Sequence, residues 1–363
     1  MIKEAIYFPA PTKNINDSIS TLELFHGPTM AFKDFGARFM ARIMNYYNQA
    51  DDTKLTILVA TSGDTGSAVA NGFYGLETID VIVLYPSKKI SQIQESQIAT
   101  LDKNIFPIEI EGTFDDCQYL VKQAFLDDNL NEKLKLTSAN SINISRLIPQ
   151  SFYYFYSYGE IQKTAPKIEV VFSVPSGNFG NITAGILADK MGLPVKKWIA
   201  STNRNSIFTE FLDTGTFQPR PSVKTISNAM DVGNPSNFER LKSIFHNNLS
   251  QFKEKMISFS YNDKETKQAI DDVYKKYGYI MDPHGSVGYL GLKKYLKEMG
   301  NQVKGIFLET AHPAKFGEVV EPIIKKEIKI PQQLQKFQNK TKKSLYMKND
   351  FNIFKDFLYN HKS

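Results

Sequence analysis

Lys33 stands in the stretch LELFHGPTMAFKDFGARFM, residues 22–40, with Met30, Ala31 and Phe32 before it and Phe35, Gly36 and Ala37 close behind. A helix or turn here would hold the amine against apolar side chains, and desolvation would lower its pKa. A lysine whose charged form is disfavoured is a usable nucleophile and base, which suits a Schiff-base site. The plainer reading is a lysine that lays its stem on the core and sends its ammonium to water, paired with Asp34.

Four further groups bear on that choice. TSGDTGSAVANGF, residues 61–73, follows the apolar run LTILVA. Its small residues, Ser62, Gly63, Asp64 and Thr65 among them, lead into a helix, where free backbone N–H groups and the positive end of the macrodipole would take a carboxylate or a phosphate. A strand-to-helix turn capped by Asp64 or Thr65 explains the same residues. PSGNFGN, residues 175–181, follows EVVFSV and opens another helix. Gly177 and Gly180 permit close approach of the backbone, and Ser176, Asn178 and Asn181 add donors, as in a phosphate cradle or an ordinary glycine-rich turn. It is neither a Walker loop nor the G-x-G-x-x-G fingerprint. Asn140, Ser141, Asn143 and Arg146 precede an aromatic stripe, residues 152–158, that is most economically core packing. Their polar ends point either to solvent or into a cleft, where the fork of Arg146 would suit a phosphate. TAHPAKF, residues 310–316, follows the buried run GIFLE.

The elements that position these loops alternate along the chain. Short apolar runs at residues 55–60, 81–85, 105–110, 169–174, 197–201 and 305–309 are spaced by helical stretches such as 91–101, 115–125, 182–191 and 264–277. That order predicts an α/β fold with open, largely parallel sheets and flanking helices. Loops leaving the strands at Ala60, Val174 and Glu309 then lie where ligands sit, at the C-terminal edge. Residues 203–237 read as irregular, and SNAMDVGNPSN, 227–237, has no periodic explanation.

Composition narrows the class. The chain has 363 residues, a net charge of +6 and one cysteine, Cys117, so an intramolecular disulfide is excluded and a reducing, cytoplasmic setting is expected. No apolar run approaches the ~20 residues of a membrane helix. His26, His246, His284, His312 and His361 are scattered, and no metal is expected. Charges of both signs interleave, which argues against a nucleic-acid groove. Only the lysine-rich end, from Lys325 onward, departs from this and reads as a solvated tail.

Taken in order, LELFHGPTMAFKDFG, ATSGDTGSAVANGFYG, SANSINISRL, SVPSGNFGNITAG, SNAMDVGNPSN and TAHPAKF resemble the microbial threonine synthases, pyridoxal 5'-phosphate enzymes of the tryptophan-synthase-β-like fold. The resemblance implies that Lys33 forms the Schiff base with the cofactor and shuttles protons. It implies that Gly177, Asn178, Phe179, Gly180 and Asn181 hold the cofactor phosphate, and that the Thr310 hydroxyl partners the pyridine nitrogen. Ser62, Gly63, Asp64 and Thr65 match the loop for the substrate carboxylate. Asn140, Ser141, Asn143 and Arg146 match a segment facing the substrate phosphate. The implied reaction turns O-phospho-L-homoserine and water into L-threonine and phosphate: α- and β-protons are lost, phosphate leaves the γ-carbon, water adds at the β-carbon and Cα is reprotonated. A phospho-lyase or serine/threonine dehydratase on the same fold, and a non-catalytic paralogue, are the alternatives.

The resemblance also sets expectations for organisation. Two intertwined domains are expected, residues 54–160 forming the smaller, residues 1–53 with 161–330 the larger and carrying the cofactor, and 331–363 a basic tail. Only residues 1–21 precede the matching stretch, where relatives carry a substantial segment, so part of that segment is expected to be missing. The expected partner is the small substrate, without nucleic acid or membrane, in a monomer or weak homodimer.

Overall fold

The computed structural model describes residues 1–49, 54–141, 143–299 and 303–361. Among them the strands are β1 (Thr12–Asn14), β2 (Ile19–Glu23), β3 (Leu55–Ala60), β4 (Ile79–Pro86), β5 (Ile105–Glu111), β6 (Lys135–Ser138), β7 (Glu169–Pro175), β8 (Val195–Thr202), β9 (Met256–Ser260), β10 (Val303–Glu309) and β11 (Leu345–Lys348). Contacts gather into two compact units. The first comprises Met1–Tyr7, Gly27–Arg146 and Ile330–Ser363, the second Phe8–His26 and Leu147–Lys329.

The first unit holds a parallel sheet in the order β11-β5-β4-β3-β6. Its central strands read as unbroken apolar runs because both faces are covered. Ile57, Val59, Val81 and Val83 enter one core with Phe73 and Met40, while Leu58, Ala60, Ile82 and Leu84 enter the other with Leu120 and Leu358. The period of two along each strand thus feeds two cores at once.

The second unit holds the order β1-β2-β10-β7-β8-β9, parallel except for the antiparallel β1–β2 pair. Register sets Glu309 beside Glu23, Phe307 beside Ser173 and Pro175 beside Ser201. The loops that begin at Leu24, Ser176, Asn203 and Thr310 therefore emerge at one edge, the edge where an open parallel sheet takes ligands. Under this sheet Trp198 stacks on Phe172, and Tyr154 meets both edge-on.

The units divide the chain elsewhere than at the expected boundaries. The helix Lys33–Asn48 belongs with the first unit because it lies directly on the helix Asp64–Phe73, where a Cβ on Gly72 would come within 3.1 Å of the Ala37 backbone. The expected basic tail is also part of this unit. β11 extends the sheet beside β5, and the helix Phe351–Asn360 buries Phe354 and Leu358 completely. Three of its lysines are paired: Lys342 with Glu95 and Glu109, Lys343 with Asp102, Lys355 with Asp127. Such exposed, screened pairs add little, against about 1.5–3 kcal/mol for each fully buried apolar side chain. Phe354 and Leu358 hold the segment.

Candidate functional site

The expected site residues fall into both units. Lys33, Ser62–Thr65, Asn140, Ser141, Asn143 and Arg146 are in the first, and Gly177–Asn181 and Thr310 in the second.

Lys33 is the first residue of its helix and half-buried, with Nζ 5.7 Å from the Phe32 ring centroid. The turn before it, residues 27–30, closes by a Met30 N–H to Gly27 carbonyl bond, and Met30 takes the left-handed conformation at φ 57°. Asp34, fully buried, holds that turn by accepting from the Thr29 N–H at 2.9 Å and the Thr29 hydroxyl at 2.7 Å. Gly27 is obligatory there, since a Cβ would lie 2.4 Å from Asp34 Oδ2. Asp34, read from sequence as the ammonium's partner, thus fixes the loop through which Lys33 is presented.

The loop after β3 is built around Thr61, whose hydroxyl accepts from the N–H groups of Gly63 and Gly66 at 2.9 and 2.8 Å. Gly63 has φ 129°, a conformation side chains rarely adopt, and a Cβ there would strike the amide of Gln94 at 2.5 Å. That amide donates to Asp64 Oδ1 at 2.9 Å, and Asp64 is buried. Ser62 and Thr65 remain half-exposed, and neither their hydroxyls nor their N–H groups find an acceptor among the described residues. With the start of the helix Asp64–Phe73 beneath them, these donors could take an anion. The N-cap alternative fails for Asp64 and Thr65, because Gly63 is the N-cap residue and the first-turn N–H of Gly66 is taken by the Thr61 hydroxyl.

Before the helix Ile144–Thr164, Asn143 Oδ1 accepts from the N–H and hydroxyl of Ser145, so its side chain is spent on capping. Arg146 is 2 % exposed and donates Nη1 to the Ala139 carbonyl at 2.6 Å; burial lowers its pKa to about 10. It stays cationic near neutrality. Asn140 and Ser141 are half-buried.

The second unit's glycine loop is the most open in hydrogen bonding. Ser176 is tied back to Ser201 and Val174, Phe179 turns the chain at φ 61°, and the helix Gly180–Lys190 follows. None of the N–H groups of residues 177–182 has an acceptor among the described residues. Asn181 is 5 % exposed; its Oδ1 accepts from Tyr153 and Tyr154, both at 2.6 Å, which leaves Nδ2 a buried donor with no partner. A buried orphan donor is costly enough to call for a ligand. The tyrosines read from sequence as packing do pack, but their hydroxyls orient this amide.

Thr310 directly follows β10 and is buried, with a hydroxyl that bonds to nothing among the described residues. Two contributors escaped sequence reading. Gln94 sits on an otherwise unremarked helix, Gln92–Ala99, and a buried polar residue has no periodic signature. SNAMDVGNPSN, unexplained by periodicity, packs against the glycine loop: a Cβ on Gly177 would lie 2.6 Å from Met230 Cα, and Asn178 accepts from Ser236 and Asn237.

Comparison with known proteins gives these loops a context. A family profile described as pyridoxal-phosphate dependent enzyme matches residues 8–308, and one described as threonine synthase, C-terminal, matches residues 286–358. The chain is 48% identical to a threonine synthase of Haemophilus influenzae over 97% of its own length and 81% of the relative's. Its fold is similar to the crystal structure of threonine synthase from Escherichia coli, with TM-score 0.92, 44% identity, and coverage of 99% and 82% of the two chains. The PLP-bound threonine synthase from Brucella melitensis superposes with TM-score 0.89 at 34% identity, over 96% of this chain and 80% of that one.

Proposed function

Because the chain belongs to the pyridoxal-phosphate-dependent enzymes, and within them to the threonine synthases, we propose that it converts O-phospho-L-homoserine and water to L-threonine and phosphate. One observation carries the assignment of residues. The acceptor-free N–H groups of residues 177–182, at the start of a helix and beside the orphaned Nδ2 of Asn181, fit the several oxygens of a phosphate monoester. Gly177, Asn178, Phe179, Gly180 and Asn181 would hold the cofactor phosphate. The neutral hydroxyl of Thr310 would meet the pyridine nitrogen without enforcing its protonation, and Lys33 would supply the covalent amine.

Bound pyridoxal phosphate supplies an electron sink that acidifies the substrate's Cα. Ser62 and Thr65 orient the substrate carboxylate with their free N–H and hydroxyl groups, while Gly63 and Asp64 keep that loop seated on Gln94. Lys33 Nζ takes the proton from Cα and next one from Cβ. Phosphate leaves Cγ toward Arg146, whose guanidinium favours the departing charge, with Asn140 and Ser141 beside it in sequence and Asn143 holding the helix start. A proton returns to Cγ to make the methyl group, the water oxygen adds to Cβ, and Lys33 returns a proton to Cα. One amine serving these transfers works best with its pKa near the operating pH.

The test is product analysis. Purified protein with cofactor and O-phosphohomoserine should release threonine and phosphate in equal amounts. Release of 2-oxobutyrate in place of threonine would assign the chain to the lyase or dehydratase reading instead. Absence of turnover, with no cofactor fixed by borohydride, would leave only a non-catalytic role.

A further inference from the structure

The second unit contains buried acid and imidazole groups that the proposed chemistry does not use. Glu309, which precedes Thr310, and Asp282 are both fully buried, and His284 is 3 % exposed. Burying such groups is expensive unless each is hydrogen-bonded. Here they form a continuous run. Glu309 Oε2 accepts from the Asp282 N–H at 3.1 Å. Asp282 Oδ1 accepts from the His284 N–H at 2.8 Å and faces His284 Nδ1 at 2.6 Å. The other ring nitrogen, Nε2, accepts from the Ala229 N–H at 3.2 Å. Since Nε2 is an acceptor, Nδ1 carries the proton and donates it to Asp282.

Ala229 lies in the short turn Asn228–Met230, and Gly177 is pressed on that turn with no space for a side chain. Further along the same segment, the Ser236 N–H and hydroxyl reach Asn178 Oδ1 at 3.2 and 3.3 Å, and Asn237 Nδ2 reaches the Asn178 carbonyl at 3.1 Å. At the opposite end, a Cβ on Gly285 would come within 2.0 Å of Glu309 Oε1, so the helix Pro283–Met299 starts flush against that carboxyl. Thr310, next to Glu309 in the chain, and the glycine loop, packed on the Asn228–Met230 turn, thus lie at the two ends of one frame of hydrogen bonds and close contacts.

We propose that Glu309, Asp282 and His284, acting through the backbone at Ala229 and Met230, are positioning residues that set the glycine loop, from the Thr310 end of β10, in the conformation that binds a phosphate. The inference rests on reading residues 177–181 as the phosphate loop. It also gives SNAMDVGNPSN a role, that of the wall on which the loop is set.

The test uses the full chain stripped of cofactor, titrated calorimetrically with inorganic phosphate, with pyridoxal and with pyridoxal phosphate. His284→Ala and His284→Asn both remove the acceptor at Ala229, and His284→Asn retains a donor for Asp282. Both should weaken binding of phosphate and pyridoxal phosphate by about tenfold, the effect of one lost hydrogen bond, and leave pyridoxal binding unchanged. His284→Gln, whose side-chain oxygen reaches Ala229, should restore them. If the alanine variant does not fold, the asparagine variant decides. A His284→Asn chain that binds phosphate as tightly as the unsubstituted chain, or loses phosphate and pyridoxal by the same factor, would overturn the inference alone. An unsubstituted chain that binds neither phosphate nor pyridoxal phosphate would overturn the loop reading and the inference together.

Discussion

Gln94 donates its side-chain amide to Asp64 Oδ1 at 2.9 Å, and the same amide occupies the space a side chain at position 63 would need. Asp64 therefore spends an oxygen on the scaffold. One turn further along the same helix, Gln97 Nε2 donates to the Thr29 carbonyl at 3.0 Å, and Thr29 is the residue Asp34 grips beside Lys33. Two glutamines on one helix face brace the carboxylate loop and the lysine turn together.

Gln94→Ala should loosen the first of these. The buried Asp64 carboxylate loses a donor, a cost of about 1–3 kcal/mol that falls on the loop's geometry rather than on bond making. KM for O-phosphohomoserine is expected to rise roughly tenfold or more, by the same energy, with kcat changed far less. Steady-state kinetics at saturating cofactor measure it; an unchanged KM would mean that the loop does not touch the substrate.

Lys33→Ala removes the amine from a helix start whose loop is held by Asp34, so the fold should survive. Turnover should fall by at least about a thousandfold, the scale of a lost general base. Borohydride reduction should no longer fix cofactor to the chain, and mass spectrometry of the peptide that contains position 33 reads this directly. Retained turnover would move the covalent role to another lysine.

Asn181→Leu removes the side-chain oxygen that accepts from the Tyr153 and Tyr154 hydroxyls, both inside the core. Each such buried hydrogen bond is worth about 0.5–1.5 kcal/mol. Thermal unfolding should show that loss even without cofactor, while cofactor affinity should fall as well because Nδ2 is gone. A variant that lost stability yet bound pyridoxal phosphate normally would confine Asn181 to a structural part.

The division between what sequence could and could not disclose follows from range. LTILVA, EVVFSV and GIFLE disclose buried parallel strands because burial on both faces writes itself into adjacent residues, and the loops after them follow from local chemistry. Gln94, Tyr153 and His284 act across 30, 28 and 55 positions, on Asp64, Asn181 and Ala229. No local pattern records such a pairing. The same holds for the unit boundaries. Residues 27–49 join the first unit because Ala37 and Met40 pack into its core, and residues 330–361 do so through β11 and Phe354. A run of lysines looked solvated because its partners, Glu95, Asp102, Glu109 and Asp127, lie more than two hundred residues away.

His312 offers a test of pH dependence. Its ring meets Phe25 edge-on, and Nδ1 accepts from the Ala314 N–H at 3.1 Å, capping the turn Pro313–Phe316 that follows Thr310. Burial, with His26 nearby, lowers its pKa from 6.5 to about 4. The unfolded chain therefore binds a proton below pH 6.5 that the folded chain refuses until about pH 4. Stability from this residue is complete above the unfolded value and is lost as pH falls through that window, by at most about 3 kcal/mol. Protonating Nδ1 also removes the cap acceptor. His312→Asn keeps a side-chain oxygen for the Ala314 N–H but does not titrate. Its melting temperature should decline less steeply than the native chain's between pH 6.5 and 4, as differential scanning calorimetry across that range would record. Parallel declines in the two proteins would assign the acid sensitivity to other groups.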